Sequence, residues 1–140
     1  KISSIRSRSG LLLAGANYSL SGISTDEDDG VLTSQEIASF DMGNVELAVL
    51  SACSSGMGDL TNTTGVVYGV ANAMKSAGVK NIIATLWDIL DEATALAMQS
   101  FYQHLLSGNG VARSLRLMRQ DMINQGFSNP YYWASFVNLE

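Results

Sequence analysis

The stretch Val45-Glu46-Leu47-Ala48-Val49-Leu50-Ser51-Ala52-Cys53-Ser54-Ser55-Gly56 constrains the fold most, because an apolar run here breaks off into small, turn-prone residues. Such a run fits a buried parallel strand ending at the carboxyl edge of a sheet, where open α/β folds place their ligand crevices. The only cysteine, Cys53, falls at that exit. Two readings stay open on local sequence: a nucleophile presented at a sheet rim, or a small buried hydrophobe.

Strand and helix patterns alternate around this run. Gly10 to Gly15 reads as a short buried strand bounded by glycines, and residues 16–30, rich in Ser, Gly, Asn and Asp, as a solvated excursion. Thr33-Ser34-Gln35-Glu36 is a capping box, predicting a short helix to about Phe40. Thr63-Thr64 opens a second helix, with Val66, Val67, Val70, Ala71, Met74 and Ala77 on one apolar face and Gly78 as its stop. Val79 to Trp87 has the branching of a core strand, and a helix follows from about Glu92 to Ser107, stopped by Gly108. Val111 to Gln125 forms another helix, buried through Leu115, Met118 and Met122, with Arg113, Arg116 and Arg119 read as a solvated stripe. Tyr131 to Leu139, aromatic and branched, predicts a terminal strand or extended segment packed on the sheet. Alternation of this kind predicts an α/β fold with a mostly parallel sheet and helices on both faces.

Composition narrows the function classes. The 140 residues, 46% hydrophobic, suffice for one buried core. A formal net charge of -5 with eight Lys and Arg argues against a general nucleic-acid or anionic-membrane surface. One cysteine excludes an internal disulfide, and one cysteine with one histidine excludes the usual zinc sets, so no metal or cofactor is expected. Asp26 to Asp29 fails the EF-hand spacing, since Gly30 stands fifth from Asp26 rather than sixth. With no apolar stretch long enough to span a bilayer and no visible secretory signal, the expected location is cytoplasmic.

In order along the chain, Asp29-Gly30-Val31-Leu32-Thr33, Leu50-Ser51-Ala52-Cys53-Ser54-Ser55-Gly56, Leu86-Trp87-Asp88-Ile89-Leu90-Asp91 and Tyr131-Tyr132-Trp133-Ala134-Ser135-Phe136 resemble the CHAT domains, caspase-like peptidase domains often joined to tetratricopeptide repeats. Cys53-Ser54-Ser55-Gly56 and Trp87-Asp88 are more similar to separase. The resemblance runs from about Ser9 to the end. It implies a caspase-like three-layer sandwich, of which residues 9–140 are the carboxyl-terminal part and residues 1–8 a polar tail of the kind a processing cut leaves.

The same resemblance implies a thiol protease with Cys53 as nucleophile, and the backbone N–H groups of Cys53 and Ser54 as oxyanion donors. It places the S1 pocket beside the strand that follows the nucleophile helix, so Asp88 or Asp91, with Trp87 and Ser51, are candidate substrate-binding residues for a P1 Arg or Lys. The rival reading of both aspartates is that they cap the next helix. One departure matters: the family's catalytic histidine stands in a His-Gly pair before the region matched by Ser9 to Ala14, and nothing here corresponds to it. The lone histidine, His104, sits in a helical pattern without catalytic duty. The expected partners are therefore a segment or chain upstream of residue 1 that supplies the histidine, a protein substrate, and a regulatory module of the tetratricopeptide type. The alternative is a catalytically inactive caspase-like domain that serves as an interaction surface.

Overall fold

In a computed structural model, residues 9–17, 21–22, 29–51 and 60–139 are described, residues 60–66 by their backbone alone. The fold is mixed α/β and divides into two compact units: Lys1–Glu46 with Thr61–Lys80, and Leu47–Leu60 with Asn81–Glu140.

The first unit holds strands β1 (Gly10–Leu12) and β2 (Val31–Thr33), helix α1 (Ser34–Ser39) and nearly all of helix α2 (Leu60–Ser76). β1 and β2 pair antiparallel, Gly10 opposite Thr33 and Leu12 opposite Val31. The Asp-Gly turn builds this ribbon. Asp29 Oδ1 accepts from Val31 N, and Gly30 takes φ +67° with its Cα so close to Ala16 that a Cβ would fall on the Ala16 nitrogen. Thr33 then caps α1: its hydroxyl accepts from Glu36 N at 3.2 Å, while Glu36 Oε2 accepts from Thr33 N at 2.8 Å. Those Thr33 bonds hold the Glu36 carboxyl below its ordinary value. Helix α2 crosses closely here, since a Cβ on Gly69 would collide with the Ser9 hydroxyl, which is hydrogen-bonded to Ser34 Oγ at 2.8 Å. Val67, Val70, Ala71, Ala73 and Ala77 are buried hydrophobic residues of this stretch.

Three expectations change in this unit. β1 is not a buried strand, because Leu12 and Leu13 are 67% and 53% exposed. β2 was not anticipated, its three residues being too few to show a period. α2 begins at Leu60, so Thr63 and Thr64 lie in its early turns rather than opening it. Its end is as read: Gly78 N donates to Lys75 O and Val79 N to Met74 O, the Schellman pair that closes a helix.

The second unit holds a three-stranded sheet in the order β3 (Leu47–Leu50), β4 (Asn81–Thr85), β5 (Phe136–Leu139), with helices α3 (Asp91–Leu106) and α4 (Val111–Asn124). β3 and β4 are parallel in register from Leu47 opposite Asn81 to Leu50 opposite Ala84. β5 runs antiparallel to β4 from Leu139 opposite Ile82 to Phe136 opposite Thr85. Among the described residues one of this sheet's two pairings is antiparallel, against the mostly parallel sheet expected. The reason is that β5 follows α4 without a crossover to β4's direction, a pairing no local pattern encodes.

Helices α3 and α4 are joined by four residues, short enough to fold them back on each other. Ala93, Ala97 and Phe101, spaced by four, meet Leu115, Met118 and Met122, with Ile83 of β4 and Phe136 of β5 completing the core. α4 also packs along β5. There Arg119 departs from the solvated stripe: it is half-buried, and its Nη2 donates to Phe136 O at 2.8 Å. Leu86 N donates to Ser135 O, so in the alternating antiparallel ladder the Phe136 carbonyl points away from β4, and Arg119 satisfies it. Arg113 and Arg116 are exposed, as read.

Candidate functional site

The site grows from the parallel pairing of β3 and β4. Parallel strands end at the same rim, and the Leu50–Ala84 pair sets Ser51 level with Thr85. The chain leaving β3 therefore passes Ser51, which is exposed, at the rim where β4 runs out into Leu86-Trp87-Asp88. Cys53 and Ser54, two and three residues beyond Ser51, lie outside the described residues.

Five residues connect β4 to α3, and each has a defined hold. Leu86 N donates to Ser135 O at 3.0 Å. Trp87 is half-buried, and its Nε1 donates to Tyr131 O at 2.9 Å. Asp88 is exposed, and its backbone carbonyl accepts from the Tyr131 hydroxyl at 2.5 Å. Ile89 is buried in the α3–α4 core, and Leu90 is the N-cap of α3, without a side-chain cap bond. Asp91 is therefore the first residue of α3 and not its cap, which corrects that reading. With Glu92 it puts negative charge beside the helix amino end, where the dipole favours it. The N-cap position is Leu90, two residues past Asp88.

Tyr131 is the residue the sequence reading missed. It lies in a 3-10 turn, Pro130–Tyr132, whose N-cap Asn129 accepts the Tyr131 N–H on its side chain at 3.0 Å. Its ring stands 6.4 Å from that of Trp87, tilted by 30°, and 5.7 Å from Tyr132, edge-on. The Leu-Trp-Asp and Tyr-Tyr-Trp motifs are thus one contact, separated by more than forty residues in sequence. Their joint presence was the available signal.

His104 belongs elsewhere. Its Nε2 lies 2.7 Å from Asp121 Oδ2, which also accepts from Ser100 Oγ at 2.7 Å. An ionised carboxylate only accepts, so Nε2 carries the proton in this pair. The Ser100 hydroxyl first, and His104 second, hold the Asp121 carboxyl below its ordinary value. The cluster ties α3 to α4. Nothing in the sequence period singled out Asp121, whose partner comes from another helix.

Residues 3–139 match the family model of the CHAT domain. The chain belongs to the CHAT domain family. This agrees with the resemblance carried by its ordered motifs and associates it with caspase-like peptidase domains. A search of curated proteins finds tetratricopeptide repeat protein 28 of Mus musculus, 30% identical over 95 residues. The match covers 67% of this CHAT domain chain and 4% of the mouse protein's length. No helix among the described residues of the CHAT domain is long and apolar enough to cross a membrane.

Proposed function

We propose that this CHAT domain carries the nucleophile of a caspase-like, separase-like cysteine endopeptidase, with Cys53 as the attacking group. What supports the reading most is the β3–β4 register, which brings the strand leading to Cys53 and the Trp87-Asp88 exit to one sheet rim. In this reading a thiolate at Cys53 attacks the scissile peptide carbonyl, the amine leaves with a proton, and water hydrolyses the resulting thioester. The reading assigns stabilisation of the oxyanion to the backbone N–H groups of Cys53 and Ser54; one such donor typically contributes about 10²–10³ in rate. The sheet is then part of a three-layer caspase-like sandwich, completed by polypeptide outside these residues.

In this reading the imidazole comes from outside this chain, which the bonding of its one histidine to Asp121 supports. An upstream segment or companion chain supplies it in our reading. Asp88 serves as the S1 carboxylate for a P1 Arg or Lys, with Trp87 and Ser51 beside it, since paired hydrogen bonds from guanidinium to carboxylate give such selectivity. Asp91 is the second candidate. Tetratricopeptide repeats in a protein similar to this chain fit a repeat module as regulatory partner.

The experiment is labelling of Cys53 by peptidyl electrophiles ending in Arg, Asp or Leu, in full-length protein with and without its upstream segment, and with Cys53→Ala as control. The reading expects labelling faster than a free thiol, an Arg preference, and dependence on the upstream histidine. Labelling at the rate of free thiol, with the histidine present, would instead support an inactive interaction domain.

A further inference from the structure

We infer that Tyr131 is the positioning residue that sets the specificity-bearing backbone at Asp88. The inference rests on the proposed role of Asp88 in substrate binding and adds how that residue is held. Tyr131 is 50% exposed, so its hydroxyl has water available, yet it donates to the Asp88 carbonyl at 2.5 Å. The Trp87 indole returns a bond to the Tyr131 carbonyl at 2.9 Å. Two reciprocal bonds between residues 87–88 and residue 131 fix both the side chain of Trp87 and the peptide plane that follows Asp88. With Trp87 held on one side and that plane on the other, the backbone torsions of Asp88 are restricted, and with them the arc through which its side chain can leave the backbone.

The bracket that does this is itself preset. Pro130 starts the 3-10 turn with its φ already restricted, and Asn129 Oδ1 holds the Tyr131 N–H. Little of the connection beyond these bonds is regular, because Leu86 to Leu90 belongs to neither β4 nor α3. A hydroxyl on a short, stiff turn therefore orients an exposed acidic residue at the sheet rim. Such control of geometry is the usual difference between a selective carboxylate and a merely nearby one.

Tyr131→Phe removes the hydroxyl and keeps the ring. In full-length protein, inactivation by chloromethyl ketone peptides ending in Arg or Leu separates the binding constant from the maximal rate of alkylation, and iodoacetamide reports thiol reactivity alone. The variant is expected to weaken Arg-probe binding about tenfold, the loss of one well-placed hydrogen bond. Its maximal alkylation rate, its response to the Leu probe and its reaction with iodoacetamide stay as in the parent. Hydrogen exchange at the amides of 87–90 accelerates in step. An Arg-to-Leu ratio preserved in Tyr131→Phe but abolished in Asp88→Asn overturns the positioning role alone. A ratio unaltered by Asp88→Asn refutes the S1 carboxylate itself, and this inference with it.

Discussion

Replacing His104 by Gln separates a structural histidine from a catalytic one, because the only imidazole in the chain sits in an interhelix pin. The pair is partly solvated: the side chains of His104 and Asp121 are 28% and 38% exposed. A charge-assisted bond contributes roughly 1.5–3 kcal/mol when shielded, while exposed ion pairs contribute about 0–1 kcal/mol. Exposure at this level places His104→Gln at about 1 kcal/mol of destabilisation, since Asp121 keeps its bond from Ser100. Asp121→Asn removes more, because it weakens both bonds at once. Urea denaturation of the two variants and their double mutant gives the coupling, expected at about 0.5–1.5 kcal/mol.

The pH dependence has a definite sign. The Asp121 carboxyl is lowered in the folded chain from its ordinary 3.8, so the unfolded chain takes up the proton first as pH falls. Its contribution is complete above about pH 4 and is lost as pH drops through the folded value. Asp121→Asn should flatten that part of the acid-stability profile. The reasoning fails if His104→Gln leaves the denaturation midpoint untouched but abolishes selective labelling of Cys53, for then the imidazole serves chemistry and not the helix pair.

Other expectations test the core. Phe101→Ala empties a fully buried site between α3 and α4 and should cost about 3–5 kcal/mol, read as a lower midpoint in urea. Ser114→Ala should be neutral or stabilising by up to about 1 kcal/mol, because its fully buried hydroxyl has no hydrogen-bond partner among the described residues. A loss above that range would show that the hydroxyl is satisfied.

What was legible in the sequence is what depends on neighbours along the chain. Thr33 and Glu36 spell their own capping box three residues apart, and Gly78, Gly108 and Gly126 stand just past the three long helices. The apolar faces of α3 and α4 follow from spacing alone, as Ala97, Phe101, Met118 and Met122 confirm by burial. Pairings across long separations were not legible. The antiparallel direction of β5, the bond from Arg119 to Phe136 and the Tyr131 bracket each join segments that meet only in the fold. Three leucines in a row suggested burial for Leu11 to Leu13, although hydrophobicity in so short a strand does not say which side is covered. For the site, the parallel β3–β4 register brings Ser51 and Trp87-Asp88 to one rim, a grouping that the resemblance implied rather than any local pattern, while Asp91 belongs to α3.

Arg119 has a consequence for growth of the sheet. A guanidinium already occupies an outward-facing acceptor of β5, so a strand added at that edge would have to displace it. Growth of the sheet beside β5 therefore carries the loss of a bond already made.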